Sequence, residues 1–161
     1  MILGVHHTAI SVADMDRSLA FYRDLLGLEV IFDTSWEQGA EKADTILRVR
    51  DTSARQTMLK TGNAYIELFE FHTPDPAPMA ADRPVIDRGI THIALDVKDV
   101  DAEYERLSKA GMIFHCEPQD LGTQCRTTYG RDQDGNVLEL QELYGSDASV
   151  ALQQCSRIKT D

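Results

Sequence analysis

The sequence is short of thiols, of positive charge, and of proline outside one stretch. Its three cysteines, Cys116, Cys125 and Cys155, are odd in number and form no C-x-x-C, which argues against a disulfide framework and against a thiolate zinc site. Sixteen Lys and Arg stand against 27 Asp and Glu, a formal net charge of −11. Such a surface repels nucleic-acid phosphates and anionic membranes, so neither is expected as a partner. No apolar run approaches the length of a membrane-spanning helix. The opening MILGVHH lacks a basic segment followed by an apolar one, so no export signal is expected and the cytoplasm is the expected compartment. What remains, 161 residues with 42% hydrophobic and 27% charged, has the composition of a globular protein large enough for one domain or two fused half-size modules.

Two short strings carry most of the information. HTAISVADMD runs from His7 to Asp16, HIALDVKDVD from His92 to Asp101, and every matched residue is displaced by 85 positions. The chain is an internal duplication. Each string begins as a strand: His7, Ala9 and Ser11 share one face, with His92, Ala94 and Asp96 as their counterparts, while Ile10, Val12, Leu95 and Val97 belong to an aliphatic face that needs a helix against it. A helix follows in both copies. Asp14 or Asp16 caps the first, which carries Leu19, Tyr22, Leu25 and Leu26 and ends at Gly27; Asp99 caps the second, which ends at Gly111.

Further strands follow over 28–35, 56–60 and 63–71, then over 112–115, 124–130 and 136–143, so each module reads βαβββ and the fold class is α+β. An insertion between Ser35 and Gln56, helical over Ala43 to Val49, is present only in the first copy and is placed to act as a lid. Four of the five prolines, Pro74, Pro76, Pro78 and Pro84, fall between the modules. The expected organisation is a first module over 1–71, a linker over 72–88, a second module over 89–144, and a tail over 145–161 with a short helix through Val150, Leu152 and Cys155.

Each module closes on a strand with a glutamate on the same face as its neighbouring aromatics or polar residues: Tyr65, Glu67, Phe69 and Phe71 in the first, Val137, Glu139 and Gln141 in the second. A carboxylate inside an apolar strand is costly to bury unless a cation or hydrogen-bond donor meets it. A lone strand histidine or glutamate is usually packing or solvated surface. Histidine and glutamate at matched places in both copies point instead to one shared divalent-metal site built from His7, Glu67, His92 and Glu139. His6 falls on the aliphatic side and aligns with Thr91, so it is expected to pack or lie at the surface, as are His72 and His115. Glu70 and Glu142 read as rim charges on the helix side.

The strings HTAISVADMDRSLAFYRDLLGLEV, NAYIELFEF, ITHIALDVKDVD and DQDGNVLELQE resemble the vicinal oxygen chelate superfamily, which includes glyoxalase I, methylmalonyl-CoA epimerase, fosfomycin-resistance proteins and extradiol dioxygenases. The resemblance implies two tandem modules forming an incomplete eight-stranded barrel around one Ni, Co, Mn, Fe or Zn ion, held by His7, Glu67, His92 and Glu139; a homodimer is expected, and since such modules pair within a chain or exchange between chains, the site forms either within one chain or across the dimer. It also implies a lyase or isomerase in which Glu67 or Glu139 shuttles a proton through an enediolate held on the metal, acting on a small substrate with two adjacent oxygens. The ring-cleaving branch, an iron(II) dioxygenase, leaves the position of Glu67 unused; a non-catalytic binding or sequestering protein on the same scaffold is the third possibility. Thr8 to Val12 lacks the arginine with which glyoxalase I grips glutathione. Arg126, then Arg131, is the candidate for a substrate carboxylate, and Tyr65, Phe69, Phe71 and Tyr129, with Trp36 and Met58, are candidate pocket walls.

Overall fold

The computed structural model describes residues 2–145 and 149–152; Cys155 and most of the expected tail helix lie outside the described residues. The chain divides into two compact units, Met1–Pro78 and Met79–Asp161, with the break inside the proline-rich stretch.

In the first unit, alternation of side chains makes strand β1 (His7–Ser11), and the helix that its aliphatic face needs is α1 (Met15–Leu19), continued as a π-helical turn over Ala20–Leu25. Asp14 is the cap: its carboxylate accepts from the Arg17 backbone N–H at 2.8 Å. Gly27, at φ +78, lets the chain leave the helix where a side chain would be strained. Strands β2 (Glu29–Trp36), β3 (Ser53–Lys60) and β4 (Tyr65–Thr73) complete a sheet in the order β1-β4-β3-β2, with helix α2 (Glu41–Leu47) between β2 and β3. Only the β1–β4 pair is parallel. Ile10, Val12, Met15, Leu19, Tyr22, Leu59, Ile66 and Leu68 are buried. Each fully buried aliphatic side chain of this kind contributes about 2 kcal/mol.

The second unit repeats the plan. Strand β5 (Ile93–Asp96) leads to α3 (Val100–Lys109), capped by the Asp99 carboxylate, which accepts from the Ala102 N–H at 3.0 Å. Strands β6 (Ile113–Phe114), β7 (Gln119–Leu121), β8 (Cys125–Arg131) and β9 (Val137–Leu143) follow, and the sheet runs β5-β9-β8-β6 with β7 also paired to β8. The parallel pair is again first strand with last, β5 with β9. Where a single strand is expected after the helix there are two short ones, because Pro118 has no N–H to give to a ladder and breaks the run. Neither sheet closes on itself. The architecture is α+β, two tandem copies of a βαβββ plan with one strand of the second copy split.

Candidate functional site

In a parallel pair, side chains directly across the ladder share a face. Register places Ala9 opposite Glu67 and His7 opposite Tyr65, so the small Ala9 leaves space beside the carboxylate and the imidazole one pleat away leans into it. His7 Nε2 stands 3.2 Å from Glu67 Oε2. Glu67 is 7% exposed, and its other oxygen, Oε1, accepts from the Gln56 side-chain amide on β3. The other ring nitrogen of His7, Nδ1, lies 2.9 Å from His6 Nδ1, and His6 stacks on Tyr65 with ring centroids 4.9 Å apart.

The second unit builds the same arrangement from different side chains. Ala94 stands opposite Glu139. His92 Nε2 is 3.0 Å from Glu139 Oε2, and Oε1 accepts from the Thr127 hydroxyl at 2.6 Å. Glu139 is 8% exposed. The Thr91 hydroxyl lies 2.9 Å from His92 Nδ1, the place that His6 takes in the first copy. Tyr129, directly across from Glu139, has its ring 4.8 Å from that of His92; burial, and then the Glu139 carboxylate, push its phenol up. Cys125 shares this face, and burial ahead of Glu139 and Asp96 pushes its thiol up.

The expected wall residues of the first unit fall on the face of Glu67. Met58 pairs across from Glu67, Ala54 from Phe71, and Trp36 from Ala54. Trp36, Phe69 and Phe71 pack ring against ring, with centroids 5.5 to 6.2 Å apart. Beyond Phe71, Leu47 and Val49 at the end of the insertion line a cavity of about 230 Å³ with Pro74 and Pro76. The insertion is pinned there by Asp44, whose carboxylate accepts from the Thr52 hydroxyl and backbone N–H and from the Asp51 N–H.

Two expectations need correction. Arg126 lies on the opposite side of β8 from Tyr129, paired across from Glu142, and its guanidinium is held by Asp101 at 2.9 Å and Asp120 at 3.1 Å. It belongs to the helix side of the sheet, on the face away from Glu139. Arg131 does share the face of Glu139, but it donates to the Gly135 and Arg83 carbonyls and to His115 Nε2. Glu142 is also more than a rim charge: both its oxygens accept backbone N–H groups, of Asp99 and Val100, at the start of α3. Gln56 and Thr127, which touch the glutamates, were not legible as site residues from their own strings; the signal is the ladder, since each lies two positions before the residue directly across from a glutamate.

Two donors about 2.1 Å from one cation stand about 3.0 Å apart at a right angle and about 3.4 Å apart at the tetrahedral angle. The His–Glu separations of 3.2 and 3.0 Å fall in that range. Among the described residues, no three His, Cys, Asp or Glu side chains gather as a group that could hold a metal ion; each unit by itself brings together one imidazole nitrogen and one carboxylate oxygen. The residues fit a divalent ion of the borderline kind that takes imidazole and carboxylate. The same spacing suits an N–H···O bond, so proton and cation compete for each pair.

Residues 4–140 match the family described as Glyoxalase/Bleomycin resistance protein/Dioxygenase superfamily. The uncharacterized protein YwkD of Bacillus subtilis (strain 168) is 34% identical over 143 residues, spanning 88% of this chain and 98% of that protein. A 2-epi-5-epi-valiolone epimerase from Actinomyces sp is 33% identical over 122 residues, 74% of this chain and 66% of the relative. The crystal structure of a glyoxalase family protein from Bacillus cereus shares the fold, with a TM-score of 0.82 at 24% identity over 90% of this chain and 97% of that one.

Proposed function

This chain belongs to the glyoxalase/bleomycin resistance protein/dioxygenase superfamily, and from that membership we propose that it is a divalent-metal-dependent lyase or isomerase acting on a small substrate with two adjacent oxygens. The observation that carries the proposal is the duplicated His–Glu pair, each with imidazole Nε2 and carboxylate Oε2 at ligand spacing on a nearly buried carboxylate. The epimerase among its relatives supports the isomerase side.

His7, Glu67, His92 and Glu139 would hold the ion. Such an ion, when bound, would supply Lewis-acid polarisation of a substrate carbonyl, easing loss of a proton from the neighbouring carbon. One glutamate, moving off the ion, would be the proton carrier: its freed Oε2 accepts the proton from that carbon and returns it to the adjacent one, while Oε1 stays engaged by Gln56 or Thr127. Tyr129 beside His92 in the second unit, and the Trp36, Phe69 and Phe71 cluster with Tyr65 on the face of Glu67 in the first, would provide aromatic walls beside the two His–Glu pairs.

The test begins with metal content of protein purified without added metal, beside His92→Ala, followed by NMR of small α-hydroxy ketones and aldehydes in D2O. Expected are bound divalent metal lost in the variant, and exchange of the carbon-bound proton that vanishes in Glu67→Gln and Glu139→Gln. Oxygen consumption with ferrous iron and a catechol, in place of exchange, would overturn it in favour of ring cleavage.

A further inference from the structure

The two copies differ in sequence where they agree in contact. His6 and Thr91, each just before a proposed ligand histidine, both sit 2.9 Å from its Nδ1. Gln56 and Thr127, each two positions before the residue facing a glutamate, both engage Oε1 of that glutamate. One side chain is an imidazole, one an amide and two are hydroxyls. What the duplication has kept at these places is therefore a hydrogen bond to one specified ligand atom, with the residue type changed.

We infer that His6, Thr91, Gln56 and Thr127 are positioning residues that select which atom each ligand presents, an inference resting on the metal-site reading above. A carboxylate is free to turn about its last bond, and an imidazole can flip. Occupying Oε1 stops the first motion and leaves Oε2 toward the histidine; occupying Nδ1 stops the second and leaves Nε2 toward the carboxylate. With Nε2 on an ion, the proton of the neutral ring sits on Nδ1, and the Thr91 hydroxyl or His6 Nδ1 accepts it. Nothing in this arrangement requires the same side chain in both copies, which accounts for the mismatch of His6 with Thr91.

The plainer account is that Gln56 and Thr127 only satisfy buried carboxylates. The two accounts part on affinity. Co(II) is titrated into metal-free protein against a competing chromophoric chelator, for wild type and for Gln56→Met, Thr127→Val, Thr91→Val and His6→Phe, the last keeping a ring on Tyr65. Each loss of a hydrogen bond is expected to weaken Co(II) binding by about tenfold to a hundredfold and to alter the Co(II) visible spectrum, while Thr91→Ser and Thr127→Ser restore both. Wild-type Co(II) affinity in variants that remain folded overturns the inference, and the exposed positions 6 and 91 keep that outcome readable should a buried variant not fold. Failure of the wild type itself to bind Co(II) is a different result: it sinks the metal-site reading, and the positioning roles with it.

Discussion

Ala9 and Ala94 are the smallest residues in their strands and stand directly across from Glu67 and Glu139. Their size is what lets each histidine reach its carboxylate from one pleat away. Ala94→Leu therefore fills the space that His92 leans through, and it is expected to release bound metal with the circular dichroism spectrum unchanged. At the glutamates, charge and face can be separated. Glu139→Gln removes a ligand charge and is expected to lower metal affinity at least about tenfold and to abolish turnover. Glu70→Gln, on the other face of β4 with His72 at 3.7 Å, is expected to change neither. Equal effects of the two changes would refute the assignment of faces.

At the scale of elements, the duplication extends to the side of the sheet away from the histidines. Arg55, across from Glu70, bridges Asp16 in the first turn of α1 and Asp33 on β2; Arg126, across from Glu142, bridges Asp101 in the first turn of α3 and Asp120 on β7. Hydrogen bonds from these arginines hold the Asp33 and Asp101 carboxyls below their usual range. A depressed folded-state value contributes stability that is present above the unfolded carboxylate range near pH 4 and is lost as pH falls through the folded value. Thermal melts between pH 7 and pH 2 are thus expected to show a steeper acid loss in wild type than in Asp101→Asn. Leu138, fully buried on β9, belongs to the same side, and Leu138→Ala is expected to cost about 2–5 kcal/mol in urea unfolding with little effect on metal affinity. Strand parity and helix caps were readable from the string because they depend on neighbours two to four positions away. Parity alone also separates Arg126 from Tyr129, three positions apart, so its assignment to the metal face was avoidable. The ladder contacts of Gln56 and Thr127 were not readable, since the register of β3 on β4 and of β8 on β9 is set by the geometry of the turns joining them, which spacing does not fix. The split of β6 from β7 was signalled by Pro118, which the sequence placed in a loop without implying a strand beyond it.

For the molecule as a whole, an ion bound only by the folded state adds stability by mass action, about 2.7 kcal/mol when free metal is a hundredfold above Kd. In a chain of this length that is expected to raise Tm by about 5–10 °C, and EDTA should remove the rise. A melting temperature indifferent to both metal and chelator would argue against ligands drawn from the folded strands. The way each unit closes has a further consequence for how the protein is made. Its first strand pairs with its last, so His7 has no Glu67 until 60 more residues have been synthesised, and His92 waits 47 residues for Glu139. At ribosomal speeds of about 5–20 residues per second the first wait is about 3–12 s. No fragment that ends before Glu139 contains all four proposed ligands, so loading is expected of the finished chain. Metal capture thereby becomes a readout of completed synthesis: a chain truncated anywhere before its closing strand is expected to emerge empty.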